Sequence, residues 1–237
     1  VSTTVADRYA YGFDASIYRH MADVVVRPKN TAEVSAIVKL ANKVRIPVIP
    51  RGAGTGLVGG DIGDGLIIDC ARHNRAITEF SREQRSIRVG AGVVLDQFNT
   101  FLKPHGLCFG PDVATSSRAT LGGMIANNSS GAWVPVYGTT SEHVRALELV
   151  LADGRIVHTR LDRAALASPR GLIARLVREH AAEIDRRLPP GLQKRWPGYG
   201  LDRVLRASAD ADPLPLILAG SEGTLAGIIS AELNLVP

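Results

Sequence analysis

The spacing of apolar residues over the first 72 positions predicts short strands around one helix. The apolar run DVVVRP at 23–28 predicts a strand, and PVI at 47–49 and LIIDC at 66–70 predict two more. Between the first two strands, apolar residues recur at helical spacing: Val34, Ile37, Val38 and Ala41. Asn30 or Thr31 can cap the start of this helix. The order strand, helix, strand predicts a right-handed parallel crossover.

From residue 76 the pattern changes, and it predicts antiparallel strands instead. AITEF at 76–80 and SIRVG at 86–90 flank the polar turn SREQR, which is typical of a hairpin. A second hairpin is predicted between 144–151 and 156–157, with Asp153-Gly154 as a two-residue turn.

Helices are predicted at three places after residue 90. The first helix has apolar residues at Leu95, Phe98 and Leu102, and Pro104 and Gly106 end it. A short helix is expected at 121–126, inside the loop 109–131, whose length favours a functional role. An amphipathic helix is expected within 161–190, with these residues on or near one face: Leu172, Leu176, Ile184 and Leu188.

The last part of the chain begins with a connector rich in proline and glycine at 188–200. Residues 215–237 then predict an apolar strand, a tight glycine turn and a final strand. In the final strand, polar residues alternate with apolar ones. The polar residues are Ser230, Glu232 and Asn234, and the apolar residues are Ile229, Ala231, Leu233 and Leu235. The whole pattern predicts a small lobe containing a βαβ unit at about 1–72, and a larger mixed or antiparallel lobe at about 73–237.

Composition narrows the class of protein. With 237 residues and 45% hydrophobic content, the chain can bury a substantial core. It has no run of about 18 apolar residues and no signal-peptide pattern at its start, so a soluble, cytoplasmic protein is expected. Cys70 and Cys108 are too few for a disulfide framework or an iron–sulfur cluster, and the six histidines lack metal-ligand spacing, so no metal site is expected.

The net charge of +5 is concentrated in one segment. Residues 155–206 hold 12 Lys or Arg against 5 Asp or Glu. Nucleic-acid binding is not expected, because aromatic residues are not interleaved with the basic ones and no nucleic-acid-binding motif is present. The segment instead favours a solvated helix face or a surface that docks a partner.

The segment PRGAGTGLVGGD at 50–61 is the strongest local candidate for chemistry. Five of its twelve residues are glycine, and glycine permits backbone N–H groups to approach a bound phosphate closely. Residues 54–59 match the dinucleotide pattern G-x-G-x-x-G, but a strand follows where that motif needs a helix. The Walker pattern also fails, since no Gly-Lys-Ser/Thr closes the loop. Taken alone, the segment fits a phosphate-binding loop or a ligand-free hairpin equally well.

Three glycine clusters together are more specific. PRGAGTGLVGG at 50–60, TLGGMIANNSSG at 120–131 and AGSEGTLAGII at 219–229 resemble the FAD-binding domain of the vanillyl-alcohol oxidase and p-cresol methylhydroxylase (PCMH) class. Within that class the resemblance is to D-2-hydroxy acid dehydrogenases, that is, the D-lactate, glycolate and 2-hydroxyglutarate enzymes. The stretches at 11–28, 105–131 and 197–202 resemble the branch that is fused to an iron–sulfur module.

The resemblance implies an α+β fold, a two-lobed PCMH-type domain with FAD extended between the lobes. It implies that backbone amides of 51–56 wrap the pyrophosphate, and it extends cofactor contact to other positions. The residues that it assigns to FAD are Arg51, Gly52, Ala53, Gly54, Thr55, Gly56, Leu57, Gly59, Pro111, Asp112, Thr120, Gly122, Gly123, Ala126, Asn127, Gly131, Gly223, Gly227 and Ile229. Some relatives attach FAD through a loop histidine; residues 50–61 contain none, so noncovalent binding is expected.

The resemblance also implies an activity: oxidation of a D-2-hydroxy acid by hydride transfer to flavin N5. The catalytic residues stay unassigned, because relatives continue into a substrate domain and an iron–sulfur module that this sequence does not contain. The chain is therefore expected to be an excised domain or one subunit of a split enzyme, weakly active or inactive by itself. A redox partner could hold it at the inner membrane. The alternatives are an FAD-dependent alcohol or sugar oxidase domain, and a non-catalytic flavin-binding subunit that docks through 155–206.

Four residues carry open alternatives within this picture. Asn127 could cap the end of a helix instead of contacting a cofactor. Trp133 and Tyr137 could stack near a flavin or simply pack. Glu222, which stands outside the assigned set, could hydrogen-bond cofactor hydroxyls or stabilise a helix start.

Overall fold

The computed structural model describes residues 1–191, 198–208 and 210–237. The strands are β1 (Val24–Val26), β2 (Val48–Arg51), β3 (Leu66–Asp69), β4 (Ile77–Ser81), β5 (Ser86–Gly90), β6 (Val144–Val150), β7 (Ile156–His158) and β8 (Gly227–Asn234). The α-helices are α1 (Val5–Ala10), α2 (Thr31–Val44), α3 (Leu95–Leu102), α4 (Leu121–Ala126), α5 (Val134–Tyr137), α6 (Ala167–Glu179), α7 (Ala181–Arg187), α8 (Leu201–Arg206) and α9 (Pro213–Leu218). Parts of the predicted connector 188–200, of the stretch 197–202 and of the basic segment 155–206 lie outside the described residues.

β1, β2 and β3 form a parallel sheet, as the residue pattern predicts. The strand order is β1-β3-β2, so the crossover helix α2 joins two strands that are separated by β3. The side chain of Asn30 accepts a hydrogen bond from the Glu33 amide (2.9 Å) where α2 begins, and Arg45, in the left-handed region at φ 58°, follows its last turn. Because the strands are parallel, the chain leaves β2 and β3 at the same edge of the sheet, and the glycine-rich loop 50–61 starts there.

The remaining strands form an antiparallel sheet in the order β4-β5-β8-β6-β7. The predicted hairpin β4–β5 is confirmed, with an irregular register between Thr78 and Ser81. β8 pairs with both β5 and β6, and most of its residues are buried. Side chains from this sheet, α3 and α4 make the main core; the largest are Phe98, Leu102, Leu121, Met124, Leu147 and Leu233. One parallel and one antiparallel sheet confirm the predicted α+β class.

The first two helices predicted after residue 90 are confirmed. α3 continues into a 3-10 turn at Lys103–His105, so Pro104 lies inside the turn, and Gly106 at φ 68° ends it. α4 has the predicted bounds, and the Thr120 hydroxyl accepts a hydrogen bond from the Gly123 amide (3.4 Å) at its start.

The prediction of one amphipathic helix within 161–190 is wrong. α6 and α7 are separate helices that meet at His180, and Leu172 and Leu176 are 46% and 40% exposed. Of the four predicted positions only Ile184 is buried, and the buried residue of α6 is Val177. Arg170 accounts for the face that α6 buries. Its guanidinium pairs with Asp212 (2.7 Å), which holds that side of the helix against the protein.

Two other predictions are wrong for reasons of capping and turn geometry. The apolar run at 215–220 is not a strand: α9 covers most of it, because the Asp212 carboxylate accepts from the Leu214 amide (3.1 Å) and Pro213 suits a first helical position. In the hairpin β6–β7, the Gly154 amide donates to Leu151 O (2.8 Å). Because the Leu151 amide also donates to Arg155 O (2.9 Å), the loop has three residues, 152–154, and Gly154 ends it with a left-handed φ of 84°.

Helix α1 has no counterpart in the sequence-based prediction. Its Asp7 pairs with Arg27 (2.8 Å), and the hydroxyl of Tyr11 donates to Asp69 (2.5 Å) at the end of β3. Asp69 also accepts from the Ala71 amide (2.8 Å). These contacts fasten the N-terminal residues to the same edge of the small sheet from which the glycine-rich loop leaves.

Candidate cofactor-binding site

A cavity of about 510 Å³ lies where the two sheets approach each other. Three segments line most of it: the glycine-rich loop with the end of β2, the stretch 113–130 that contains α4, and the turn 222–228 that leads into β8. These segments contain the three glycine clusters of the sequence. They are far apart along the chain, and the fold brings them together at a volume that is typical of ligand sites.

Fourteen of the residues assigned to FAD by resemblance line this cavity. They are Arg51, Gly52, Ala53, Gly54, Thr55, Gly56, Leu57, Thr120, Gly122, Gly123, Ala126, Asn127, Gly223 and Gly227. The other five lie outside the lining, and the lining includes residues that the resemblance does not assign to FAD. Among the latter are Cys70, Ala91, Val113, Ser129, Glu222 and Ala226.

The five remaining residues have other neighbours. A Cβ on Gly59 would lie 2.9 Å from the Tyr18 ring, and Pro111 is buried. Asp112 accepts a hydrogen bond from the Trp133 amide (3.1 Å), and Gly131 packs directly against the Asp112 backbone. Ile229 lines a second cavity behind the first. Asp112 and Gly131 thus join the two ends of the long loop 109–131.

The glycine-rich loop turns its backbone toward the cavity. Gly54 and Gly59 have left-handed φ values of 69° and 75°, which favour glycine. A Cβ on Gly56 would have no neighbour within 4 Å, so the peptide groups around Gly56 are open to a ligand in the cavity. Gly52 packs against the Thr120 side chain, which places this loop against the start of α4.

The side chain of Arg51 supports the loop from behind. Its guanidinium donates to three backbone carbonyls, those of Tyr11 (3.2 Å), Asp61 (3.0 Å) and Phe13 (2.6 Å). Arg51 is buried, and its guanidinium lies 5.3 Å from the centre of the Tyr11 ring. The guanidinium therefore holds the loop in place through these three hydrogen bonds, and the backbone of the loop is available to bind a ligand.

Glu222 supplies a polar group without a protein partner. Its amide donates to Ala126 O (2.9 Å), and its backbone has a left-handed φ of 50°. Within residues 1–191, 198–208 and 210–237, no donor reaches its buried Oε1 atom. Because a buried carboxylate oxygen without a donor is costly, the position fits a ligand that carries a hydroxyl or amino donor.

Asn127 and its neighbour Asn128 lie at the end of α4, beside the cavity. Asn127 follows α4 as its C-cap residue, and it also lies in the cavity lining. Asn128 takes a left-handed φ of 48°, and its side-chain oxygen accepts from the Ser141 amide (2.9 Å). Trp133 and Tyr137 face each other at 6.1 Å between ring centres, outside the lining.

Cys70 stands in the wall between the first cavity and a second one of about 310 Å³. Burial, followed by the nearby charge of Asp69, raises the pKa of the Cys70 thiol to about 12. The thiol is therefore protonated at neutral pH and is a poor nucleophile.

Asp61, at the end of the glycine-rich loop, titrates unusually. Burial and a hydrogen bond with Asp14 raise the pKa of Asp61 to about 6, against the opposing charge of Arg51. Burial alone would raise the pKa of Asp14. Hydrogen bonds from Ser16 and Asp61 lower that pKa by more, so the net shift is downward. Opposite pKa shifts in two neighbouring carboxyl groups are typical of a pair that shares one proton.

The arrangement of two sheets around this cavity defines a known fold. A solved alkyldihydroxyacetonephosphate synthase superposes with a TM-score of 0.70 over 99% of this chain and 40% of that one, at 19% sequence identity. The sequence profile described as "FAD binding domain" matches residues 22–160, which is more than half of the chain. The chain therefore belongs to the FAD-binding domain family, as the resemblance implies.

Curated relatives carry dehydrogenase names. D-2-hydroxyglutarate dehydrogenase of Pantoea ananatis is 42% identical over 100% of this chain, which corresponds to 24% of that protein. The protein of the same name from Haemophilus influenzae is 40% identical over an equal share. D-lactate dehydrogenase of Archaeoglobus fulgidus is 44% identical over 57% of this chain. The chain thus spans about a quarter of the length of the D-2-hydroxyglutarate dehydrogenases that it matches.

Two further findings concern the part of the chain that the structure describes. In that part, every helix is too short or too polar to cross a lipid bilayer. The described residues also contain no cluster of three or more His, Cys, Asp or Glu side chains that could hold a metal ion.

Proposed function

We propose that this chain is the FAD-holding part of an enzyme that oxidises a D-2-hydroxy acid, and that it binds FAD noncovalently. The observation that carries the proposal is the convergence of the three glycine clusters on one cavity. The names of the relatives that match the whole chain make D-2-hydroxyglutarate the first substrate to test.

The residues around the cavity fit such a cofactor. The open backbone at Gly56 suits a phosphate group, and the unpartnered Oε1 of Glu222 suits a hydroxyl donor. The described lining residues include no histidine, and their one cysteine, Cys70, has a protonated thiol. Since covalent attachment needs a nucleophilic side chain, both observations favour noncovalent binding.

When bound, FAD supplies the electron acceptor for the oxidation. The work of this chain is to hold and orient the cofactor through the glycine-rich loop, α4 and the turn 222–228. The groups that bind the substrate carboxylate and remove its hydroxyl proton are assigned here to parts of the full enzyme outside this chain. We therefore expect the isolated chain to bind FAD and to oxidise little or no 2-hydroxy acid. Purified chain that acquires no flavin absorbance on incubation with FAD would contradict the proposal.

Substrate tests on the full-length enzyme distinguish a 2-hydroxy acid dehydrogenase from an alcohol or sugar oxidase. If D-2-hydroxyglutarate and D-lactate are both inert while a simple alcohol or sugar is oxidised, the substrate class is wrong, although FAD binding stands. Turnover of the D-acid but not of its L-enantiomer is the expected result.

Gly56→Ala tests the open backbone of the loop. The new Cβ meets no protein atom within 4 Å, so we expect the free energy of unfolding to change by less than about 0.5 kcal/mol. FAD affinity, measured by quenching of flavin fluorescence, should fall about tenfold or more, because the methyl group stands where a ligand must approach the backbone.

Gly171→Ala is the matched control for this substitution. Gly171 lies inside α6, is exposed, and also has open space around a Cβ. Alanine there should stabilise the helix by about 1 kcal/mol and leave FAD affinity unchanged. Equal effects of both variants on FAD affinity would mean that the loop is not the contact surface.

Glu222→Gln tests the unpartnered carboxylate. A hydrogen bond from a ligand hydroxyl to a charged group contributes about 1.5–3 kcal/mol, so FAD affinity should fall about tenfold or more. The unfolding midpoint of the FAD-free chain should not fall, because Oε1 has no donor within the described residues. A lower midpoint together with unchanged FAD affinity would assign Glu222 a structural role instead.

A further inference from the structure

The N-terminal strap, defined here as residues 11–21, crosses over the glycine-rich loop. Tyr11 and Phe13 offer their carbonyls to the Arg51 guanidinium, and the Tyr18 ring covers Gly59. Most residues of the strap are exposed, and its backbone contacts are local: an isolated bridge between Phe13 and Arg19, and hydrogen bonds from Gly12 N to Tyr9 O (3.0 Å) and from His20 N to Gly12 O (3.1 Å). A few polar contacts to the loop therefore decide where the strap lies.

One of these contacts joins two carboxyl groups. The Arg51 guanidinium brings their segments together, because it donates both to the carbonyl of Phe13, next to Asp14 in the strap (2.6 Å), and to the carbonyl of Asp61 in the loop (3.0 Å). The carboxyl groups of Asp14 and Asp61 act on each other as hydrogen-bond partners. Asp14 Oδ1 accepts from the Ser16 amide (2.8 Å), which holds its other oxygen inward. Asp14 Oδ2 and Asp61 Oδ1 are both buried, and no donor within the described ranges reaches either atom.

Two ionised carboxylates cannot satisfy each other, because each can only accept. One shared proton resolves the problem: the protonated group donates, and the ionised group accepts. When the proton leaves, two negative charges face each other in a partly buried site and repel. Asp61 also lines the cavity, so the added charge would face an anionic ligand there.

We propose that the proton shared by Asp14 and Asp61 fastens the N-terminal strap to the glycine-rich loop, and that its loss as the pH rises loosens the loop and weakens the binding of a pyrophosphate-bearing ligand. The proposal rests on the proposed function in one respect, namely that the loop contacts the pyrophosphate of FAD. The fastening of the strap itself does not depend on FAD.

The other charged groups around the pair are few. Arg51, from the end of β2, favours ionised Asp61, but its N–H groups already serve three carbonyls. His20 pairs with Asp64 at 3.5 Å on the exposed side. The Arg19 guanidinium lies over the rings of Tyr9 and Phe13, and Tyr11 is bound to Asp69. His20 is the histidine among these neighbours, so the test must separate its contribution from that of Asp61.

The pKa values set the pH window. The folded-state pKa of Asp61, about 6, lies above its ordinary value of 3.8. The stabilisation from this proton is therefore complete below about pH 4 and is lost as the pH rises through about 6. The change should be complete near neutral pH.

The first measurement is FAD affinity between about pH 5 and about pH 8, by flavin fluorescence, for the chain and for Asp61→Asn. The wild-type dissociation constant should rise about tenfold across this range. Asparagine can donate to Asp14 at every pH, so the variant should bind as the wild type does at the acid end, without the pH dependence. A variant whose affinity follows the wild-type profile would overturn the proposal.

Two controls address the neighbours. Asp64→Asn removes a carboxylate that is 81% exposed in the same loop region, and His20→Asn removes the histidine. Both should keep the wild-type pH dependence. If either flattens it as Asp61→Asn does, the effect belongs to the His20–Asp64 pair and the shared proton is excluded as its origin.

The second measurement needs no FAD. Hydrogen exchange of the strap amides, corrected for intrinsic rate, should speed up severalfold in the FAD-free chain as the pH passes about 6, and Asp61→Asn should abolish this step. A strap whose protection is the same on both sides of that pH overturns the proposal even if FAD binds. Absence of FAD binding at any pH would instead refute the proposed function, and the exchange data would still decide about the strap.

Discussion

Gly131→Ala is expected to unfold the chain or to leave it barely stable. A Cβ at Gly131 would overlap the backbone carbonyl oxygen and the carboxylate of Asp112. The backbone oxygen cannot move aside without shifting the loop 109–131. We expect the free energy of unfolding to fall by more than about 3 kcal/mol, as for severe overpacking. Urea unfolding followed by far-UV circular dichroism measures the loss.

The matched control separates steric overlap from backbone strain. Gly106 has a left-handed φ of 68°, but a Cβ there meets no atom within 4 Å. Gly106→Ala should therefore cost only about 1 kcal/mol, from strain alone. Should the two variants lose similar stability, the contact between Gly131 and Asp112 would not be the close approach described here. Any folded fraction of Gly131→Ala should also bind FAD poorly, since the loop lines the cavity.

Arg51→Ala is expected to have the second-largest effect. The substitution removes the donor to three carbonyls, those of Tyr11, Phe13 and Asp61, and leaves them partly buried. Each hydrogen bond to a charged group contributes about 1.5–3 kcal/mol, and solvent can replace part of them, so we expect a total loss of about 3 kcal/mol. FAD affinity should fall beyond detection, because the loop and the strap lose their common anchor.

Two further variants make the Arg51 result specific. Arg51→Lys keeps the charge but not the planar fork, so its loss of stability should be intermediate. Arg175→Ala removes an exposed arginine whose contact with Glu179 is 4.0 Å long, and it should change the free energy of unfolding by less than about 0.5 kcal/mol. Full stability in Arg51→Lys would show that charge alone, and not the three directed hydrogen bonds, fixes the loop.

Sequence reasoning succeeded where local signals agreed. Asn30 before α2 combines an apolar pattern with a cap, and the short runs of Val and Ile at 23–28 and 66–70 predict β1 and β3. It failed where an apolar run was too short to choose between helix and strand. The run at 215–220 belongs mostly to α9, and the signal that could have identified the helix was Asp212 followed by Pro213.

The site shows the same division. The glycine clusters could be singled out because three of them occur in one chain in a specific order, although none is diagnostic alone, and the fold brings all three to one cavity. Cys70, Ala91 and Asp14 could not be found in this way. Asp14 acquires its importance only from Asp61, and no periodicity relates two carboxylates that meet through a fold. Such residues can be identified only from the three-dimensional structure, which shows which side chains are close in space.

The central position of β8 has a consequence for how the chain is made. β5 and β6 are joined through β8, although β8 is the last strand along this sequence. Until the ribosome has released residues 227–234, both strands present unpaired backbone edges, which are prone to join other chains. The hairpins β4–β5 and β6–β7 can each pair before that stage, so the antiparallel sheet is completed last at its middle, when β8 joins them.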